Sequence, residues 1–234
     1  MLQVKLFTLY PDLFPGLLDT GIYNKAKNKK IWDLEVINIR DYASDKHSTV
    51  DDTPFGGGSG MLLRPDVIAS ALDQNVDKKL NEEIIYLSPK GLKFNQSLAR
   101  ELSKKNKLNI LCGHFEGVDQ RVLQTRNIKE VSIGDYILSG GETAAAVLID
   151  SIIRLLPGVL GNKTSTEEES FENGLLEYPQ YTKPRKWEEK STPDVLFSGD
   201  HAKIKDWRLS QSEAITRRQR PDLWKKYLKK NEKH

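Results

Sequence analysis

Residues that could do chemistry are concentrated in three glycine-rich loops, at 51–60, 111–119 and 132–142. Glycine allows positive φ angles and lets the backbone approach a ligand closely. The first loop lacks the Gly-Lys-Ser/Thr sequence of a phosphate-binding loop, and it does not lie between a strand and a helix as a dinucleotide fingerprint does. Taken alone, the first loop therefore predicts a flexible hairpin.

The second and third loops directly follow strand-like apolar runs, which is where open α/β sheets bind their ligands. In the second loop, Glu116 either accepts hydrogen bonds from a ribose or caps the helix that follows, and both interpretations stay open. In the third loop, backbone groups could hold the edges of an adenine while Ile133, Tyr136 and Leu138 cover its faces. Because residues 86–89 end a further strand, we expect three strand ends to form one crevice.

Carboxylates at 167–169 supply the candidates for acid–base chemistry. A carboxylate can act as the general base for a weakly acidic ring N–H, although the same run also fits a solvated acidic linker. Arg154 ends the preceding helical stretch and could pair with a carboxylate of a substrate or cofactor. It could equally be a cation that the helix dipole favours. His114 is interpreted as a loop residue, because no partner lies at the spacing of metal ligands.

The elements that must position these residues alternate between strands and helices. Strand-like apolar runs lie at 4–9, 34–39, 83–88, 108–112 and 128–133, and helical stretches lie at 65–74, 96–104, 118–124 and 142–155. Such alternation predicts an α/β fold with a mostly parallel sheet and helices on both faces. We assign this domain to residues 1–160.

A polar segment follows Pro157 and Gly158 and has no apolar period, so we predict a flexible linker over 161–170. Residues 171–234 are expected to form a small helical C-terminal domain with helices at about 201–217 and 222–230. Its candidate core residues are Trp207, Leu209, Trp224 and Leu228.

Charge is distributed unevenly along the chain. The net charge is only +3, but from His201 to His234 there are 11 Lys and Arg against 4 Asp and Glu. A basic segment on a slightly acidic body suggests an appendage that binds a polyanion. A pair of solvated, lysine-rich helices is the alternative.

Cysteine usage and hydropathy limit the class of protein. Cys112 is the only cysteine, so one chain can form neither an internal disulfide nor a cysteine-based metal cage. This usage suits a reducing cytoplasm, and we expect a cytoplasmic protein without a signal peptide. No apolar run approaches the roughly 20 residues of a membrane span, so we expect no membrane association.

Several motifs, in order along the chain, together resemble the bacterial tRNA (guanine-N1)-methyltransferase family, TrmD, of the SPOUT superfamily. They begin with Val-Asp-Asp-x-Pro-Phe-Gly-Gly-Gly-x-Gly-Met and continue through Ser-Ile-Gly-Asp-Tyr-Ile-Leu-Ser-Gly-Gly-Glu to the segment around Ser-Gly-x-His. The matching stretches lie at 50–61, 85–91, 112–121, 132–142, 149–151, 156–161, 170–184 and 196–204.

The resemblance implies a trefoil-knotted α/β domain and an obligate homodimer. It implies that S-adenosylmethionine donates a methyl group to N1 of guanosine 37 of tRNA, with Glu169 as general base and Arg154 neutralising charge. The basic C-terminal helices would bind the anticodon arm. Magnesium dependence has been associated with the family, but the sequence contains no dedicated metal cage.

The resemblance also implies which residues form the binding sites. The substrate-binding residues would be Asp51, Glu177, Tyr181 and Ser198. The cofactor-binding residues would be Tyr86, Leu87, Ser88, Pro89, Gly113, Glu116, Ser132, Ile133, Gly134, Asp135, Tyr136, Ile137, Leu138, Gly140 and Gly141.

The sequence departs from the family pattern at a few positions. Glu169 stands where the family has aspartate, which keeps the carboxylate but adds a rotatable bond. His114 and Phe115 replace arginine and tyrosine, Glu177 replaces an aspartate, and Thr143-Ala144 replaces leucine-proline. Two other functions therefore stay open: an RNA-binding protein that responds to a nucleotide without catalysis, and a SPOUT methyltransferase with another RNA target.

Overall fold

The structure is a computed structural model that describes residues 1–77, 82–161 and 169–232. The chain divides into two compact units, Met1–Gly161 and Asn162–His234. The linker predicted over 161–170 falls mostly outside the described residues and stays a prediction. None of the helices in the described ranges contains an apolar stretch that could span a lipid bilayer.

The first unit is built on a five-stranded sheet in the order β2-β1-β6-β5-β7, in which every pairing is parallel. Its strands are β1 (Leu2–Thr8), β2 (Trp32–Asn38), β5 (Ile84–Lys93), β6 (Lys107–Leu111) and β7 (Lys129–Ser132); β3 (Asp51–Asp52) and β4 (Leu62–Leu63) form a separate antiparallel pair. The helices are α1 (Gly21–Asn28), α2 (Pro65–Asn75), α3 (Gln96–Leu102), α4 (Gln120–Thr125) and α5 (Gly141–Ile153).

The central strands are apolar on both faces because each face packs on a different core. In β1, Val4 and Leu6 join one apolar cluster and Phe7 joins the other, as the two-residue period of a strand requires. The first cluster includes α5, and the second includes α2 and α4. This double burial is typical of parallel sheets, and it confirms the predicted α/β class.

The predicted strands and helices of the first unit are confirmed, with two differences. Helix α1 was not predicted, because it is only eight residues long and Ala26 is its only buried residue. Strand β5 was expected to end at residue 88 but continues to Lys93. Its register with β7 shifts between Leu87 and Leu92, and its second half is largely exposed, so no apolar run marks it.

The second unit contains α6 (His201–Gln219), α7 (Pro221–Asn231) and a short antiparallel pair, β8 (Lys186–Trp187) and β9 (Lys190–Ser191). The two predicted helices are confirmed. The core prediction was wrong for Leu209 and Leu228, which are 48% and 40% exposed. Two polar side chains on α6 are buried instead. The Thr216 hydroxyl donates to the Ser212 carbonyl at 2.6 Å and accepts from the Leu176 amide at 2.8 Å.

Candidate active site

A cavity of about 370 Å³ opens at the carboxyl ends of β6 and β7 and beside residues 86–90 of β5, where the register with β7 shifts. Residues 86–90, 113–118 and 130–141 form its wall, so the three predicted segments meet at one crevice, although 86–90 lies within β5 rather than at its end. Its size falls within the range of about 300–1,000 Å³ that is usual for small-molecule sites.

The cavity is lined by the residues that the resemblance assigned to the cofactor, with one exception. Asp135 does not line it, because its carboxylate is 94% exposed and faces Lys93 at 3.9 Å. Lys90, Gln120 and Glu130 also line the cavity and were not predicted. Lys90 directly follows the predicted 86–89 segment and Gln120 directly follows the 111–119 loop, so adjacency to these segments could have indicated both residues.

Glycine is required where the second and third loops meet. The Gly141 amide donates to the Gly113 carbonyl at 2.8 Å. A Cβ at Gly141 would lie 2.8 Å from the Cys112 Cα, and one at Gly113 would lie 2.7 Å from the Tyr86 ring. These separations are shorter than real Cβ contacts, so a larger residue at Gly141 would push the two loops apart and one at Gly113 would displace the Tyr86 ring.

Tyr86 forms part of the cavity wall and is almost fully buried. Burial, reinforced by the charge of Glu130, raises the pKa of Tyr86 to about 12. Its phenol is therefore neutral throughout the physiological range. The neighbouring Cys112 is also buried, and this burial raises the pKa of its thiol well above the ordinary value. The thiol is consequently protonated and a poor nucleophile.

Apolar side chains from the third loop remain accessible beside these neutral groups. Ile137 is 81% exposed, Tyr136 is 54% exposed and Leu138 is 39% exposed, and all three line the cavity. Together with free backbone groups, such side chains suit a flat, hydrogen-bonding ligand such as a nucleobase.

Glu116 lines the cavity rather than capping a helix, so the capping interpretation was wrong. The cap of α4 is Asp119, whose carboxylate accepts from the Arg121 amide at 2.8 Å. The Glu116 amide donates to the Met61 carbonyl at 2.9 Å, and the Glu116 side chain packs so closely on Gly60 that a Cβ there would lie 2.5 Å from Cγ.

The first glycine-rich loop lies in a hairpin, as the sequence predicted. Residues Asp51 and Asp52 pair with Leu63 and Leu62. Gly56, Gly57 and Gly58 have positive φ angles, and a Cβ added at any of them would meet no atom of the described residues within 4 Å. Asp51, a predicted substrate contact, is half-buried in this hairpin.

His114 packs between two aromatic rings, with centroids 4.9 Å from Tyr10 and 4.8 Å from Phe115. Its Nδ1 is buried without a hydrogen-bond partner among the described residues. Across the described ranges, no group of three or more His, Cys, Asp or Glu side chains could hold a metal ion. Beside His114, the buried Glu142 carboxylate accepts from the Thr8 hydroxyl at 2.7 Å in the first turn of α5, where the helix dipole favours an anion.

The two predicted catalytic residues belong to different units of the chain. Arg154 caps the C-terminus of α5, where its charge acts on the Tyr23 phenol. The Tyr23 hydroxyl donates to the Asp150 carboxylate at 2.7 Å. Glu169 lies in the second unit and is half-buried, while Glu167 and Glu168 lie outside the described residues.

The other predicted substrate contacts also belong to the second unit. The Glu177 carboxylate accepts from Gln180 at 2.6 Å. Tyr181 packs against Trp207 with ring centroids 6.2 Å apart. The Ser198 hydroxyl donates to the Val195 carbonyl at 2.8 Å, so it stabilises the turn that precedes α6.

Comparison with known proteins places these motifs in a family. Residues 2–226 match the family described as tRNA (Guanine-1)-methyltransferase TrmD. A "tRNA (guanine-N(1)-)-methyltransferase" of Pelagibacter ubique is 69% identical over 229 residues, covering 98% of this chain and 100% of the relative. Proteins of the same name from Bartonella tribocorum and Rhodospirillum rubrum are 53% and 51% identical, covering 99% and 97% of this chain and 98% and 94% of the relatives. The chain therefore belongs to the TrmD family of tRNA (guanine-1)-methyltransferases.

Proposed function

We propose that this protein transfers a methyl group from S-adenosylmethionine to N1 of guanosine 37 of tRNA, beside the anticodon. The observation that carries the proposal is the cavity beside β5, β6 and β7, whose walls are made by the motifs of a methyltransferase family. S-adenosylmethionine, when bound, supplies an electrophilic methyl group. The remaining steps depend on how the chain binds, orients and deprotonates the nucleoside.

The lining of the cavity fits the proposed cofactor. Ile133, Ile137 and Leu138 supply apolar contacts for an adenine, while backbone groups of the same loop supply donors and acceptors for its edge. The Glu116 carboxylate can accept hydrogen bonds from ribose hydroxyls. We therefore assign cofactor binding to the predicted residues that line the cavity.

Glu169 is proposed to accept the N1 proton of guanine, because guanine N1 holds its proton at neutral pH and is a poor nucleophile until it loses it. A positioned general base contributes roughly 10²–10⁴-fold to a rate. Arg154 is proposed to neutralise negative charge on the substrate or cofactor, and holding the two reactants together provides a proximity effect. Asp51, Glu177, Tyr181 and Ser198 are proposed to contact the RNA.

We further propose that the first unit is knotted and that the protein works as a homodimer. The close backbone contact between Gly113 and Gly141 supports the tight threading that a knot requires. Exposed apolar side chains on neighbouring elements, Leu17 and Val147, support an interface, because contiguous apolar surface commonly marks contacts between proteins. The active site would combine residues from both chains.

The second unit is proposed to bind the anticodon arm. Helices α6 and α7 carry most of the basic C-terminal segment, and Arg217 and Arg218 in the last turn of α6 are exposed. Exposed cations of this kind bind RNA largely through phosphates. A tRNA substrate and a reducing environment for Cys112 both support a cytoplasmic location. Magnesium is proposed only as an accessory ion.

Methylation of tRNA transcripts, followed by mass spectrometry of the nucleosides, tests the proposal. We expect 1-methylguanosine at position 37 and no product when that guanosine is replaced by adenosine. Product at another position would instead favour a different RNA target. Cofactor and RNA binding without any product would favour the interpretation that catalysis has been lost.

A further inference from the structure

A second cavity, of about 500 Å³, lies wholly within the second unit. One wall is a single face of α6, where lining residues recur at helical spacing from His201 to Ser212. The other wall is the segment 169–178. We call this cavity the α6 groove.

The segment that forms the second wall is held in place by several hydrogen bonds. The Leu176 amide donates to Thr216 on α6 at 2.8 Å. The Phe171 amide donates to the Leu175 carbonyl at 2.7 Å, and the Glu177 amide donates to the Ser170 hydroxyl at 2.9 Å. The groove is therefore part of the fold of this unit, and hydrogen bonds from backbone amides fix the conformation of its wall.

The groove combines an apolar floor with cations. Ile204 and Leu209 line it, and Leu209 is 48% exposed despite its large apolar side chain. Lys205 and Arg208 lie one helical turn apart on the same face, so their side chains are neighbours. Apolar surface beside paired cations matches the chemistry of a nucleotide, which has a flat base and an anionic phosphate.

Arg208 is oriented toward such a role by an aromatic ring. Its guanidinium lies 4.7 Å from the centroid of the Tyr178 ring, within the roughly 6 Å of a cation–π interaction. A guanidinium held in one plane presents its donors to a phosphate as a fork. Glu169 also lines the groove, so its carboxylate and these two cations occupy one binding region.

We propose that the α6 groove binds the backbone phosphate next to the nucleotide whose base is presented to Glu169, with Lys205 and Arg208 neutralising that phosphate. The inference rests on the proposed function, since it assumes that the base facing Glu169 is the guanine to be methylated. It goes further by identifying the side chains that hold the substrate backbone and thereby place the base. Lys205 and Arg208 are thus positioning residues for the reaction.

Thermodynamic coupling between one side chain and one phosphate tests this inference. The probes are anticodon stem–loop RNAs that carry the target guanosine and have an uncharged methylphosphonate at the linkage on its 5′ or its 3′ side. Binding to the complete protein is measured for the parent, Lys205→Gln and, as a matched control, Lys226→Gln. Lys205 and Lys226 are both exposed helical lysines, but Lys226 does not line the groove.

We expect one methylphosphonate to weaken binding to the parent about three- to tenfold, as loss of a charged contact does. On Lys205→Gln, the same methylphosphonate should weaken binding by less than about twofold, because this variant has already lost the contact with that phosphate. On Lys226→Gln, the methylphosphonate should weaken binding as much as it does on the parent. The dependence of log Kd on log salt should fall by about 0.7 for Lys205→Gln, which corresponds to one phosphate contact on single-stranded RNA.

The proposal would be overturned if, at both linkages, the methylphosphonate weakened binding equally for the parent and for Lys205→Gln. The side chain and the phosphate would then act independently. Arg208→Gln provides a second cycle, and its melting temperature is measured as well because this variant also loses the contact with the Tyr178 ring. Because the readout is binding, a groove that fails this test is distinguishable from failure of the proposed function, which appears as an absence of methylated product with the parent protein.

Discussion

Individual residues around the strand-end cavity differ in whether they can carry charge. Burial keeps the Tyr86 phenol neutral, so this part of the cavity wall favours an uncharged aromatic ligand. Glu116 places a carboxylate on the same wall, where it can bind hydroxyl groups. A neutral phenol beside a carboxyl acceptor matches the adenosine of the proposed cofactor, whose base is neutral and whose ribose donates hydrogen bonds.

The raised pKa of Tyr86 predicts a loss of stability at alkaline pH. Tyr86 titrates at about 12 in the fold against an ordinary value of 10.0, so both states are protonated below pH 10 and the unfolded chain ionises first above it. The free energy of unfolding should therefore decline between about pH 10 and 12, by about 2 kcal/mol from this group. Tyr86→Phe should lose less stability than the parent over this range in denaturant unfolding.

Tyr136→Phe is the matched control, because it removes a phenol that lines the same cavity but is more than half exposed. Identical declines in the parent and Tyr86→Phe would show that burial does not perturb this phenol.

At the scale of elements, the pairing of β5 with β7 positions the cavity segments 86–90 and 130–141. The register between these strands shifts between Leu87 and Leu92, and Gly91 lies inside the shift. A Cβ at Gly91 would collide with the Val131 amide nitrogen and with the carbonyl group of Glu130. Both obstacles are backbone atoms, so no side-chain rotation can relieve the contact.

Gly91→Ala is therefore expected to destabilise the protein by about 1–3 kcal/mol or more, the usual range for overpacking, and to weaken cofactor binding through β7. Gly161→Ala serves as the control, since a Cβ there would have no neighbour within 4 Å among the described residues. Thermal unfolding and cofactor titration measure both effects. Equal stability of the two variants would mean that the strands can separate without cost.

The sequence predicts those elements whose side chains are buried in a regular pattern. Strand β6 was predictable because Leu108, Ile110 and Leu111 pack on both cores. The extension of β5 was not, because a strand formed around a register shift leaves no apolar alternation. Helical spacing alone suggested that Leu209 belongs to a core, but spacing cannot distinguish a core from a groove that a ligand could fill.

At the scale of the whole molecule, the proposed catalytic groups are carried by separate units. Arg154 belongs to the unit that holds the strand-end cavity, and Glu169 belongs to the unit that contains the α6 groove. Motif order along the chain predicted the cavity, because parallel strands end at one edge of the sheet. Motif order could not predict which chain of an assembly supplies Glu169. That depends on the surfaces through which two chains contact each other, and local sequence patterns do not define those surfaces.

A site shared between two chains predicts that inactive variants can restore each other. Arg154→Ala and Glu169→Ala should each be inactive alone, yet a mixture dissociated and reassembled together should recover activity. With random pairing, half of the dimers are mixed and each carries one intact site, so recovery should approach about a quarter of the parent rate. Initial methylation rates of the mixture measure this recovery.

The control mixture combines Glu169→Ala with an Arg154→Ala, Glu169→Ala double variant, in which no chain keeps Glu169. It should stay inactive after the same treatment. A fully active monomer in sedimentation would contradict the shared site.

The assignment of Glu169 as the general base is tested most directly by the single-turnover rate of methyl transfer to tRNA. We predict that Glu169→Gln, which preserves size but cannot accept the proton, lowers this rate by roughly 10²–10⁴-fold with little change in cofactor or tRNA affinity. Glu168→Gln should be nearly silent and Glu169→Asp should keep or raise the rate, with 1-methylguanosine as the product throughout. A Glu169→Gln protein that methylates N1 as fast as the parent would contradict the account.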